Sequence, residues 1–315
     1  MDGVNDAKII SKERTQKSFF LRRLATEWPM HLMLIPAIIL CITFNYIPLY
    51  GLVIAFQRYN VAMGFSSPWV GLGNFEQLFS QPNFVQTIWN TLFIAFWKIV
   101  LMILVPVFFS LLLNEVRNRF CKRLFQSIIY IPNFLSWVIM AGIMVELLST
   151  NGVVNQFLSI FGVRPIWFLG EEKVFPWTMI WSDVWRSFGF GTVIYLATLT
   201  GIDPGLYESA VIDGAKRFKQ TIYITIPMML PIITLMSILS LGNILNAGFD
   251  QIFNLYTPIV YKTGDIIDTY IYRVGLQKAQ FSLGAAVGLF RSLISAVLIA
   301  LSYYLADRFA GYRVF

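Results

Sequence analysis

The stretch FVQTIWNTLFIAFWKIVLMILVPVFFSLLL, residues 84–113, decides how this chain must be read, because Lys98 is its only charged side chain. A hydrocarbon core of about 30 Å takes roughly 20 apolar residues of helix, so a run of this length is a membrane span. Working outward, five further runs have the same character: 28–57, 124–145, 175–199, 223–249 and 281–305. Periodicity does not discriminate inside them, since a lipid-facing or bundle-buried helix is apolar all round. The expected fold class is therefore all-α, a polytopic membrane protein with six transmembrane helices.

Composition agrees and excludes other classes. Of 315 residues, 57% are hydrophobic, 16% aromatic and only 13% charged, against roughly 25% charged in a soluble domain. Mean hydropathy is +0.65. Two cysteines, Cys41 in an apolar run and Cys121 in a basic loop, make neither a disulfide framework nor a cysteine metal site. A single histidine, His31, removes histidine-based triads and metal clusters. The net charge of +7 reads as membrane topology rather than affinity for nucleic acid.

The basic residues fall on alternate sides. Lys8, Lys12, Arg14, Lys17, Arg22 and Arg23 precede the first span; Arg117, Arg119, Lys122 and Arg123 follow the second; Lys216, Arg217 and Lys219 follow the fourth; Arg308 and Arg313 end the chain. The opposite loops hold only Arg58, Arg164, Lys173, Lys262, Arg273 and Lys278. The positive-inside rule then places both termini in the cytoplasm. The expected organisation is a basic cytoplasmic tail over 1–27, a membrane domain over 28–306 and a short cytoplasmic tail over 307–315. Residues 18–24 read as a juxtamembrane anchor, with an amphipathic surface helix as the alternative. Outside, 64–73 and 151–165 are turn-rich, and 250–280 is long enough to hold short elements.

Residues 202–231, IDPGLYESAVIDGAKRFKQTIYITIPMMLP, form the one loop with a pattern of its own. Asp203 before Pro204 is a helix start, the carboxylate capping free amides and the proline pre-set for the first helical position. The spacing gives a helix from about Pro204 with Leu206, Tyr207, Ala210 and Val211 as apolar contacts and Glu208 near its positive end. Asp213 and Gly214 break it, a second helix restarts through Ala215 and Phe218, and Pro227 and Pro231 bend the chain into the fifth span. The result is a compact cytoplasmic knob over 203–220, fit either to dock or to serve as an ordinary capped loop.

Glu208, Ser209, Ala210, Asp213, Gly214, Ala215, Ile224, Pro227 and Pro231 resemble the EAA loop of the membrane subunits of binding-protein-dependent ABC importers. Ser209 stands for the usual second Ala and Ile226 for Leu. PLYGLVIAF at 48–56, WVGLGNF at 69–75, GFDQIFNLY at 248–256 and GDIIDTYIYRVG at 264–275 are similar to the carbohydrate permeases of the LplB-like group. The resemblance implies the type I ABC importer transmembrane fold in a bacterial inner membrane. It implies a subunit without enzymatic activity whose knob docks on a separate cytoplasmic ATPase dimer, chiefly through Glu208 and Gly214. It further implies a second, related permease as heterodimer partner, an external solute-binding protein, and oligosaccharide cargo, with uronate-containing sugars included. No cofactor is expected on this chain; ATP and Mg belong to the ATPase. The absence of a G-x-x-x-x-G-K-[ST] sequence agrees with that division.

Charges at membrane depth are functional suspects, here Lys98, Asp183, Arg186 and Arg291. Asp183 and Arg186, three apart on one helix, are expected to pair locally. Lys98 is expected to face another helix or a wet cavity, and Arg291 to reach outward. For a sugar path, Trp181, Trp185, Asn243, Asn246 and Asp250 supply aromatic faces and hydrogen-bonding groups, although interfacial Trp and interhelical Asn have structural uses as well. The competing classes are an ion-coupled carrier using Lys98, Asp183 and Arg291, and a membrane scaffold. No internal repeat favours the carrier.

Overall fold

The structure, a computed structural model, describes residues 27–242 and 244–310. The chain divides into two units, Met1–Ile54 and Ala55–Phe315. The first is represented by most of helix α1, Glu27–Phe56, which runs two residues past the boundary. The 1–27 tail, with its 18–24 segment, lies outside the described residues except for Glu27.

In the second unit, α2 is Gly73–Phe79 and α3 is Pro82–Glu115. At 34 residues, α3 is about 50 Å long. Then come α4 (Arg119–Tyr130), α5 (Trp137–Leu148), α6 (Val153–Ser159) and α7 (Phe175–Thr200). The loop helices α8 (Pro204–Ile212) and α9 (Arg217–Gln220) lead into α10 (Ile226–Leu241). Short α11 (Phe249–Leu255), α12 (Tyr261–Gly264) and α13 (Ile267–Tyr270) precede α14 (Phe281–Ala310). Among the described residues no strand forms; Gln57–Trp69 and Asn60–Gly64 are isolated bridges.

Helices α3 and α7 are the axis. Near one end, Ile94 and Ala95 pack with Met140 and Met144 of α5, Met179 and Ile180 of α7, and Ile252 and Leu255 of α11. At the other, Leu113 meets Tyr195, Leu196 and Leu199 of α7 and Met229 of α10. A third cluster ties Phe84 to Tyr270, Leu283 and Val287. Gly189 lets α4 approach α7 closely: a Cβ there would overlap the backbone carbonyl of Ile129.

Five helical stretches are long and apolar enough to cross a membrane: Glu27–Phe56, Pro82–Glu115, Trp137–Ser159, Arg217–Leu241 and Phe281–Tyr304. The expected fourth span falls short on apolarity because Asp183 and Arg186 lie in it, yet α7 has 26 residues, about 39 Å. A central helix buries polar groups against neighbours rather than lipid, so six crossings stand.

Two spans differ from expectation. The third, expected as one helix over 124–145, lies instead over Trp137–Ser159, and the chain breaks between α4 and α5 before it. Pro132 removes a helical N–H, Ile131–Phe134 tightens to a 3-10 turn, and Ser136 caps α5 by accepting from Ile139 N at 3.4 Å. The fifth, expected over 223–249, stops at Leu241; Gly248 is left-handed at φ +93° and starts α11. The last helix runs past the expected boundary at 306, to Ala310.

Candidate functional site

The knob is built locally. Asp203 caps α8, its Oδ1 accepting from Gly205 N at 2.9 Å. The Ser209 hydroxyl donates to Gly205 O at 2.9 Å. Gly214 turns the chain at φ +78°, and Ala215 N closes the turn on Ala210 O at 2.8 Å. Tyr207 anchors the knob to the membrane domain, its hydroxyl 3.0 Å from Thr225 Oγ1. Arg217 pairs with Glu115 at the end of α3.

Glu208, Ser209, Asp213 and Gly214 are exposed, with Ala210 and Ala215 half-buried. Glu208 sits in the second turn, not the first, so the expected interaction with the helix start is weakened. Val211, expected to pack inward, is 63% exposed, beside Ile212 at 87% and Phe218 at 77%. One short loop thus leaves three large apolar side chains uncovered by the described residues.

The charged residues at membrane depth are distributed differently from the expected pairing. Asp183 does not pair with Arg186. Its Oδ2 lies 3.4 Å from Lys98 Nζ of α3. Arg186 instead donates to Leu135 O at 2.9 and 3.2 Å and to Asn133 O at 3.3 Å, and lies 5.0 Å over the Trp137 ring. Arg's planar fork takes the carbonyls released at the α4–α5 break, which outcompetes a carboxylate one turn away. Arg291 is ion-paired with Asp268 at 2.5 Å.

Lys98 also donates to Ala247 O at 2.7 Å and to the Gln251 side-chain oxygen. Gln251 in turn donates to Met179 O and Ser182 Oγ, each at 2.7 Å. Sequence reading missed Gln251 because an amide inside an amphipathic aromatic run carries no spacing signal. It also missed a third cluster between the fifth and sixth spans, where buried Asp265 receives Arg273 and the Thr269 hydroxyl. Burial pushes the Asp265 carboxyl above its ordinary range, with Arg273 opposing; burial likewise raises Asp268 against Arg291.

The path candidates do not form one site. Trp181 and Trp185 line an apolar groove of about 440 Å³ with Trp177, Met144, Leu147 and Phe168. Asp183 is on the opposite face of α7, which it shares by helical spacing with Ser187, Phe190 and Ile194. Asn246 and Asp250 are exposed at the α10–α11 break; Asn243 lies outside the described residues.

Residues 106–311 match the family of binding-protein-dependent transport system inner membrane components. The chain belongs to that family. It is a multi-pass permease subunit of an ABC importer, and ATP hydrolysis is the work of a separate subunit. The permease is 38% identical over 306 residues, 96% of its length and 95% of the relative's, to the polygalacturonan/rhamnogalacturonan transport system permease protein YteP of Bacillus subtilis. It is 35% identical over 285 residues to protein LplB of the same organism, covering 90% of this chain and 89% of that one. Among solved structures, it superposes on a chain of a bacterial ABC transporter involved in import of the acidic polysaccharide alginate. The TM-score is 0.84 at 36% identity, over 92% of this chain and 99% of that one.

Proposed function

We propose that this permease is one half of the solute path of an ATP-driven importer of uronate-containing oligosaccharides. The cargo class rests on the relatives: YteP's name refers to polygalacturonan and rhamnogalacturonan, and the structural neighbour is described with an alginate pentasaccharide-bound periplasmic protein. An external solute-binding protein delivers the sugar, and a second, related permease closes the path. Both termini lie in the cytoplasm, a reading the distribution of Lys and Arg supports. The chain binds no cofactor, ATP and Mg residing on the ATPase.

The observation that carries the coupling is the knob: Asp203-capped, turned at Gly214, tied back by Tyr207, and apolar at its tip. Glu208, Ser209, Ala210, Asp213, Gly214 and Ala215 form its docking surface on the ATPase dimer, whose closure then moves α3, α7 and α10 through the contacts at the knob's base. Exposed Asn246 and Asp250 border the path; Trp181 and Trp185 belong to a different wall. Lys98 and Asp183, the coupling candidates of the carrier reading, bind each other, and the family match is to an importer component.

The test is the assembled importer in proteoliposomes. Loaded binding protein stimulates ATP hydrolysis in the wild type, and Gly214→Trp abolishes that stimulation. Stimulation unchanged in Gly214→Trp would refute docking through the knob, and uptake driven by an ion gradient without ATP would refute the importer reading.

A further inference from the structure

The Lys98 network is more than a buried ion pair. Its ammonium has three hydrogens and three acceptors: the Ala247 carbonyl, the Gln251 side-chain oxygen and Asp183 Oδ2. Gln251 is fully buried and spends both amide hydrogens on α7. Among the described residues, the buried side-chain atoms left unpaired are Gln57 Oε1 and Arg273 Nε, neither in this network. Gly248 makes it possible, because a Cβ there would lie 2.9 Å from Lys98 Nζ.

The two charges are not equally placed. The Asp183 side chain is 25% exposed and that of Lys98 only 7%. The acid therefore looks out from the α7 face shared with Ser187 and Phe190, and the base stands behind it. Lys98 also holds the non-helical backbone after α10, next to exposed Asn246 and Asp250. An unneutralised carboxylate at this depth would repel an anionic solute strongly, since low dielectric magnifies like-charge repulsion.

We infer that Lys98 is a positioning residue for anionic cargo. It neutralises Asp183 from behind and holds the backbone after α10, so that a sugar carboxylate passing the Asp183 face of α7 meets no unpaired negative charge at Asp183. This rests on the importer reading above. Asp183 is thereby kept as a hydrogen-bond acceptor for sugar hydroxyls without acting as a repelling charge.

The experiment uses the complete importer in proteoliposomes with two cargoes of equal length, a uronate tetrasaccharide and its neutral methyl ester, each at saturating binding protein. In Lys98→Met, uronate uptake should fall at least about tenfold while ester uptake stays within about threefold of wild type. Lys98→Met/Asp183→Asn should return uronate uptake to within about threefold. Equal loss of both cargoes in the single variant, or no recovery in the double, overturns the inference and leaves a purely structural clamp. If Lys98→Met does not assemble, Asp183→Asn decides: retained or raised uronate uptake supports the inference, and a tenfold selective loss overturns it. A wild-type importer that moves the ester but no uronate refutes the cargo reading itself, an outcome separate from any ranking of the variants.

Discussion

Replacing Gln251 with leucine tests the network by removing its middle. The side chain is fully buried, so leucine fills nearly the same volume while three hydrogen bonds vanish: one from Lys98 and those to Met179 O and Ser182 Oγ. Two neutral bonds are worth about 1 kcal/mol each and one to a charged donor about 1.5–3 kcal/mol. Burying a more apolar side chain returns about 1 kcal/mol. The net loss is about 2–4 kcal/mol, and at about 2–4 °C per kcal/mol the melting temperature in detergent should fall by about 5–15 °C. Asn254→Ala is the control. Asn254 is exposed on the same short helix and makes one bond to Asp250 O, so its melting temperature should move by less than about 2 °C. A Gln251→Leu permease that melts within 2 °C of wild type would refute the claim that this amide holds α3, α7 and α11 together.

Arg186→Met should destabilise by about 2–4 kcal/mol, because two carbonyls at the α4–α5 break lose a charged donor, and hydrogen exchange should accelerate over 131–137. Arg186→Lys should recover less than half of that loss, a point charge being unable to span both carbonyls; full recovery would show that charge alone matters. In Gly189→Ala the new methyl meets the Ile129 backbone, so α4 must shift at a cost of about 1–3 kcal/mol, read as a lower melting temperature. Asp203→Ala removes the α8 cap and should cost about 1 kcal/mol locally, seen as faster exchange over 204–212 with global melting unchanged. Asp268 has a carboxyl raised by burial, so the stability tied to it is present below the ordinary carboxylate range and is lost as pH rises through its shifted value. Wild type should therefore lose melting temperature relative to Asp268→Asn on going from pH 4 to pH 7; the opposite trend would mean that the Arg291 pairing outweighs desolvation.

The crossings and the knob were legible because both are written in local terms. A run such as 84–113 can only be a span, and Asp203-Pro204 with Asp213-Gly214 fixes where a helix starts and stops whatever surrounds it. The exposure of Val211 was not legible. Helical spacing puts it on a face but does not say whether this chain or another polypeptide covers that face, and among the described residues none does. The same limit applied to Trp181 and Trp185. Their aromatic character suggested a sugar wall, but only the orientation of α7 separates their groove from the face of Asp183.

The failed Asp183–Arg186 pairing exposes a rule about the membrane interior that spacing along one helix does not contain. In lipid, a backbone carbonyl freed from a helix must find a donor within the protein. Among the described residues, carbonyls are freed at the Pro132 break ahead of the third span and again after Leu241, where the fifth span ends. Each break is met by one long cation from another helix, Arg186 reaching Asn133 and Leu135, and Lys98 reaching Ala247. Arg has the planar fork that two carbonyls need. Lys has a single compact charge, which suits one carbonyl, one amide and one carboxylate. Lys98, which looked like a candidate coupling group, and Arg186 therefore serve as donors to carbonyls that these breaks leave free. Bent spans are in turn what a solute path requires, since continuous apolar helices packed side by side offer a sugar no polar surface. Asp183 then follows as a consequence of Lys98, the acid that leaves that cation without net charge on the wall.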